Sequence, residues 1–327
     1  MKRRAFIAGL VSAAAWPVVT RAQQSAMPVI GFLDGRQPDA LANRLRGFHQ
    51  GLGDIGYLEG ENVTVLYHYA ENHSDRLPAL AAELARRPVA VFVASGGPNV
   101  MFAVKQATTT VPIVFLSGED PVGIGLVSSL AHPGGNMTGI NFFNRELAGK
   151  QLEFLREFVP TASRIAVLVN PADATVTETT LRDVEAAAQV KGLQLLVIRA
   201  STSREIDAAF AVFANERPDA LFVAADPFFN SRRLQLSLLT MRHAVPAVYS
   251  GREYAEVGGL ITYGSDITDA YRQAGRYTGR ILKGARPEEM PIVQVNKLEL
   301  IINAQSARAL GLTVPQSLQI AADEVIE

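Results

Sequence analysis

Val111-Pro112-Ile113-Val114-Phe115-Leu116-Ser117-Gly118-Glu119-Asp120 is answered in the second half of the chain by Val245-Pro246-Ala247-Val248-Tyr249-Ser250-Gly251-Arg252-Glu253. Each stretch is a proline, a short apolar run, and a Ser-Gly exit closed by an acidic residue. An apolar run without polar alternation is what a strand shows when helices cover both faces of its sheet, the situation of a parallel sheet. The surroundings repeat in the same order. Arg76-Leu77-Pro78 leads through a helical pattern into Val89–Gly97, and Arg204-Glu205-Ile206 leads into Asp219–Pro227. Gly134-Gly135-Asn136-Met137-Thr138-Gly139 follows the first copy, and Gly258-Gly259-Leu260-Ile261-Thr262-Tyr263 follows the second. The spacing is far longer than the roughly 20–50 residues of a solenoid repeat. It reads as two lobes of one topology, with the boundary near Asn141–Arg145.

The rest of the chain agrees. Strands are expected at Val29–Leu33, Val63–Tyr67, Val89–Ala94, Ile113–Leu116, Ile165–Val169, Leu193–Ile198, Ala220–Ala224 and Ala247–Tyr249. Helical stripes lie between them: Leu41, Leu45, Phe48 and Leu52; Leu77, Leu80 and Leu84; Ile206, Phe210 and Phe213. Thr202 and Glu205 form a capping box for the last of these. Strand–helix alternation with right-handed crossovers makes the expected fold α/β, two doubly wound parallel-sheet lobes.

The 327 residues suit two domains, and 48% hydrophobic against 19% charged residues provides ample core. A net charge of -1 offers no basic surplus for nucleic acid. Cysteine is absent, which excludes disulfides, thiol nucleophiles and Cys-ligated metals. Residues 1–22 read as a cleaved export signal: Lys2, Arg3 and Arg4, an apolar stretch from Ala5 to Val19, and Thr20-Arg21-Ala22 before Gln23. Arg3-Arg4-Ala5-Phe6-Ile7 fits the twin-arginine type, with an ordinary Sec signal as the alternative. No later window is long and apolar enough for a membrane span. A soluble bacterial periplasmic protein is expected.

In open parallel sheets, ligands sit beyond the carboxyl ends of the strands. The candidate ligand-binding residues therefore lie at strand exits. In the first lobe they are Asp34 and Arg36; Ser95, Gly96, Gly97 and Asn99; Glu119 and Asp120; and Asn141. In the second they are Asn170; Asp226, Phe228 and Phe229; Tyr249 and Glu253; and Asp266, which also suits a helix N-cap. Free backbone N–H groups at helix starts and Arg36 point to an acidic ligand. Phe228, Phe229 and Tyr249 point to an aromatic one.

Other motifs fail on context. Gly51-Leu52-Gly53-Asp54-Ile55-Gly56 matches a dinucleotide fingerprint by letter but closes a helix instead of opening one. His49, His68, His73, His132 and His243 show no metal spacing. Asp34, Glu119 and Asp226 could supply an acid–base pair, yet no nucleophile, metal or cofactor pattern accompanies them. No metal, cofactor or catalytic residue is expected.

On its motifs, the chain resembles the substrate-binding proteins of ABC transporters, in the group related to tryptophan- and tyrosine-uptake binding proteins. The likeness covers nearly the whole chain. It is carried by Gly47-Phe48, Gly56-Tyr57, Gly60-Glu61-Asn62-Val63, Asp120-Pro121-Val122, Pro133-Gly134-Gly135-Asn136-Met137-Thr138-Gly139, Asp226-Pro227-Phe228-Phe229, Tyr271-Arg272-Gln273-Ala274-Gly275, Gly279-Arg280-Ile281-Leu282-Lys283-Gly284 and Ala309-Leu310-Gly311-Leu312-Thr313-Val314-Pro315. Similar sequences carry a Thr-Gly-Gly-Thr-like turn where this chain has Ser95-Gly96-Gly97-Pro98-Asn99. Pro98 removes a backbone donor there and Asn99 adds a side-chain amide.

The resemblance implies a type I periplasmic binding fold in which the chain passes three times between lobes joined by a hinge. Residues 23–142 and 265–292 would form the first lobe, and 143–264 and 293–327 the second. It implies a monomer that binds a small molecule (an amino acid, aromatic or organic acid) by hinge closure and delivers it to permease subunits. A secreted enzyme and a sensory module for a membrane receptor are the competing classes.

Overall fold

The computed structural model describes residues 27–142 and 147–327. The expected signal segment, and Phe143–Arg145 of the expected boundary, lie outside the described residues. The chain begins with strands β1 (Val29–Asp34), β2 (Thr64–Tyr69), β3 (Val91–Ser95), β4 (Ile113–Ser117) and β5 (Met137–Asn141), interleaved with helices α1 (Ala42–Asp54), α2 (Leu77–Ala85) and α3 (Pro98–Ala107). It continues through α4 (Leu147–Phe158), β6 (Arg164–Val169), α5 (Ala174–Lys191), β7 (Gln194–Arg199), α6 (Ser203–Glu216), β8 (Ala220–Val223), α7 (Pro227–Ser231), α8 (Arg233–Arg242), β9 (Ala247–Tyr249), α9 (Arg252–Ala255) and β10 (Ile261–Ser265). It ends with α10 (Ile267–Leu282), β11 (Val293–Gln294), β12 (Leu298–Asn303), α11 (Ala304–Ala309), α12 (Gln316–Ala321) and β13 (Glu324–Ile326).

Two sheets result, ordered β11-β5-β4-β3-β1-β2 and β13-β12-β10-β9-β8-β6-β7. Each contains the order 2-1-3-4-5 of its own strands, which reverses direction next to its first strand. That reversal is a topological switch point, where loops on either side diverge and leave a crevice. In the first sheet it lies between β1 and β3, whose ends pair at Asp34 and Ser95. In the second it lies between β6 and β8.

The apolar runs are buried as their lack of alternation requires. β3 and β4 are buried at every position. One face of the first sheet packs on Phe48 and Leu52 of α1 and Tyr271 and Ala274 of α10, and the other on Leu84 of α2 and Met101 of α3. The second sheet packs on Phe154 and Leu155 of α4 and on Phe210 and Phe213 of α6. Thr202 caps α6 by accepting from the Glu205 amide at 3.2 Å, while the Glu205 carboxylate accepts from the Ser201 amide at 2.7 Å.

Three details differ from expectation. β12 runs antiparallel to β10. The chain leaves the second sheet through β10, visits the first through α10 and β11, and re-enters from the end it left, so the returning strand must run the opposite way. Val293 and Gln294 pair with β5 of the first sheet and Val295 donates to the Asn141 carbonyl, so the expected division at residue 293 gives way to a third passage at residues 296–297. The first glycine of the false dinucleotide motif, Gly51, is explained by helix contact, whereas Gly56 has the positive φ (+91°) of a helix ending. A Cβ on Gly51 would overlap the Arg272 carbonyl oxygen, and one on Gly275 would overlap the Phe48 carbonyl oxygen. Backbone thus meets backbone where α1 crosses α10.

Candidate ligand-binding site

The two switch points face each other across one cavity of about 190 Å³. A single water needs about 10–15 Å³ on this measure, so the space suits a small organic molecule. Rim contacts hold the lobes together. Arg44 of α1 bonds Glu253 of α9 through Nε and Nη2, both at 2.9 Å from Oε1. Ser231 donates to Asn72 at 3.2 Å. Gly97, at φ +111°, lies where a Cβ would be only 3.5 Å from both the Asp173 carboxylate and the Pro227 ring of the opposite lobe.

The first-lobe wall is built from the β1 and β3 exits. Arg36 folds back over its own strand end. Its Nε and Nη2 bond Asp34 at 2.9 and 2.6 Å, and Nη2 also reaches the Tyr271 hydroxyl at 2.5 Å. Ser95 donates to the Asp34 carboxylate and accepts from the Tyr271 hydroxyl. Burial pushes the Asp34 carboxyl up, but the adjacent guanidinium and its hydrogen bonds outweigh this and hold it below the usual range. Arg36 stays charged for the same reason. Asp34 and Ser95 thus form the bed under Arg36, while Arg36, Gly96 and Gly97 reach the cavity wall.

Glu119, after β4, also lines the cavity. Asn141 fixes its backbone by donating to the Glu119 carbonyl at 2.7 Å. Burial, then the carboxylates of Asp173 and Asp183, push the Glu119 carboxyl up to about 8, against a hydrogen bond from Thr179. At neutral pH it is largely protonated.

The second-lobe wall begins at Asp226. Its carboxylate caps α7 by accepting from the Phe228 and Phe229 amides at 2.8 and 3.2 Å, and Asn170 donates to it. Burial nevertheless raises Asp226 to about 7, with Asp173 adding to the rise. Asp173, the N-cap of α5, is itself raised by burial. Apolar wall comes from Phe142, Phe222, Tyr254 and Tyr271.

Arg36, Gly96, Gly97, Glu119 and Asp226 are the expected site residues that the fold brings together on the cavity. Asp34, Ser95, Asn141 and Asn170 lie directly behind them. The others have different partners. Asn99 is exposed on α3. Asp120 accepts from the Val122 amide. Glu253 pairs with Arg44, which keeps its carboxyl low despite burial. Asp266 caps α10 and pairs with Lys297. The three expected aromatics are core residues: Phe228 and Phe229 pack within the second lobe, and Tyr249 is fully buried with its hydroxyl 3.1 Å from that of Thr240. Tyr249 acts from behind, its ring stacked 4.4 Å from Tyr254, which takes the wall position instead.

Arg44, Thr179, Asp183, Asn230, Tyr254 and Tyr271 were not legible as site residues. Only Asn230 carried a local signal, one helical turn after Asp226 on α7. The remainder sit inside helices whose amphipathic pattern looks the same whether a residue faces core or cavity. Among the described residues, no three His, Asp or Glu side chains converge to hold a metal ion, and no helix is long and apolar enough to cross a membrane.

Two linked α/β lobes with opposed switch points around one cavity define a two-lobed solute-binding protein of the type I periplasmic binding fold. The chain belongs to the ABC transporter substrate binding protein family, whose model matches residues 26–326. A tyrosine-binding protein of Clostridioides difficile (strain R20291) is 26% identical over 267 residues, covering 82% of this chain and 76% of that one. The crystal structure of an ABC domain in complex with L-Trp from Streptococcus pneumoniae is 25% identical, with a TM-score of 0.83 over 91% of this chain and 99% of that one. A conserved domain protein of Vibrio cholerae gives a TM-score of 0.84 at 25% identity, over 91% and 99% of the two chains.

Proposed function

We propose that this protein is the periplasmic solute-binding component of an ABC importer, and that it holds a small organic ligand, an amino acid foremost, in the cavity between its lobes. One observation carries the reading: both switch points open onto a single cavity whose wall is shared by the two lobes. A ligand there touches both rims only when the lobes are together, so binding favours the closed arrangement. The three passages between the sheets act as the hinge, and permease subunits recognise the closed form. The aromatic wall of Phe142, Phe222, Tyr254 and Tyr271 suits an apolar body. An amino acid is put first because relatives are described as binding tyrosine and L-Trp. The chain works as a monomer, exported by its N-terminal signal, and leaves its ligand chemically unchanged.

A thermal-shift screen of amino acids, aromatic acids, short dicarboxylates and sugars tests this. A ligand present at 100 times its Kd stabilises the native state by about 2.7 kcal/mol. Amino acids are expected among the hits, with the shift lost in Asp226→Asn. A screen without a single hit overturns the proposal. A secreted enzyme is supported only by the raised carboxyls of Glu119 and Asp226, and turnover of a hit compound would establish it.

A further inference from the structure

We infer that the group this cavity selects is a positively charged nitrogen, held between Glu119 of the first lobe and Asp226 and Asn230 of the second, and that a carboxylate on the ligand is dispensable. The inference rests on the solute-binding reading of this same cavity and specifies the chemistry of its ligand.

The first support is charge accounting across the wall. Its two guanidinium groups are already matched: Arg36 by buried Asp34 at 2.6 Å, Arg44 by Glu253 at 2.9 Å. A ligand carboxylate would have to compete with these pairs. The start of α3, one further place for an anion, has lost an amide donor to Pro98. In contrast, Glu119 and Asp226 take part in no ion pair among the described residues, although both line the cavity and Asp173 stands close to each. Burial and the Asp173 carboxylate make each of them costly to ionise until a cation joins it.

The second support is independent of charge. Asn230 is only 5% exposed and lines the cavity, yet neither its amide nitrogen nor its amide oxygen has a hydrogen-bond partner. Buried side-chain amides are ordinarily satisfied. A ligand N–H group would satisfy the oxygen one helical turn from the Asp226 carboxylate. No three carboxylates or histidines among the described residues are arranged to hold a metal ion, so the cation is an organic one. Because Glu119 and Asp226 belong to opposite lobes, one bound ammonium draws both rims inward.

Ionising Glu119 against the cation expels its proton to solvent. The groups acting on Glu119 include the Asp173 and Asp183 carboxylates, which raise it, and the Thr179 hydroxyl and Arg182 guanidinium, which lower it. None of these replaces the ligand's charge, so binding near neutral pH is accompanied by proton release.

The test is calorimetric titration of the mature protein with matched trios: L-tyrosine, tyramine and 3-(4-hydroxyphenyl)propanoate; L-tryptophan, tryptamine and 3-(indol-3-yl)propanoate; leucine, isopentylamine and 4-methylpentanoate. In at least one trio the amino acid and the amine are expected to bind within about tenfold of each other. The acid without nitrogen is expected to bind at least a hundredfold more weakly. Heats in phosphate and Tris should differ by the released proton. Glu119→Gln and Asn230→Leu, checked for native circular dichroism, should each weaken the amine at least tenfold. An acid that binds as tightly as its amine overturns the inference and leaves solute binding intact; so does amine affinity unchanged in both variants. Failure of all nine compounds, together with an empty wider screen, overturns the solute-binding reading itself.

Discussion

Glu119 shows how one side chain takes its chemistry from neighbours far away in sequence. Its position follows from β4 and from the Asn141 amide that pins its backbone, but its protonation follows from its burial in the cleft and then from Asp173 and Asp183 across it. The folded protein holds a proton on Glu119 up to about pH 8, whereas the unfolded chain releases it near 4.5. Between these values the native state binds more protons, so stability falls as pH rises through the window. Asp226 and Asp173 act with the same sign. In ligand-free protein, Glu119→Gln should flatten the decline between pH 5 and 8 by up to about 1.4 kcal/mol per pH unit, as read from urea unfolding at a series of pH values. An identical slope in the variant would contradict the assignment. That Glu119 stands at a strand exit was legible from the sequence. Its acidity was not, because the second lobe has to close over it before it is buried, and the carboxylates that add to the rise lie in that lobe.

The elements owe their identity to local pattern and their contacts to small residues that pattern does not explain. α1 and α10 are joined by glycines that let their backbones touch, and Gly51 lies directly against Arg272. Gly51→Ala must push the helices apart, at a cost of about 1–3 kcal/mol. Gly53 sits two residues further along the same helix, and a Cβ there meets only Leu58 at 3.8 Å. Gly53→Ala should therefore be neutral or stabilise by roughly 0.5–1 kcal/mol, since it removes helix-interior glycine freedom. Paired chemical denaturation of the two variants checks the contrast; equal effects would mean that helix propensity, not close approach, governs the site. The helix itself was legible in the spacing of Leu41, Leu45, Phe48 and Leu52. Its glycines were read as a helix ending, because close approach to α10 involves residues more than two hundred positions away.

At the scale of the molecule, the rim contacts join the lobes without touching the cavity's carboxyls. Arg44–Glu253 is the foremost of these, an ion pair with both side chains nearly covered. A hydrogen bond to a charged group contributes about 1.5–3 kcal/mol, and here it is available only when the lobes are together. Arg44→Ala should shift the population toward the open arrangement and weaken ligand about tenfold or more. Small-angle scattering of the ligand-free protein should show a larger radius of gyration. Wild-type affinity and dimensions in the variant would remove the pair from the closing mechanism. Alternating apolar runs and helical stripes, repeated in order along the chain, determined by themselves that there would be two α/β lobes with their sites at the strand exits. These features depend on neighbours within a few residues, where burial on both faces or on one stripe leaves a periodic mark. Tertiary structure alone decided that Tyr254, and not Tyr249, meets the cavity, that Asn230 and Tyr271 share its wall, and that Glu253 serves Arg44. Facing a cavity and facing a core bury a side chain alike, and only the approach of the second lobe separates the two.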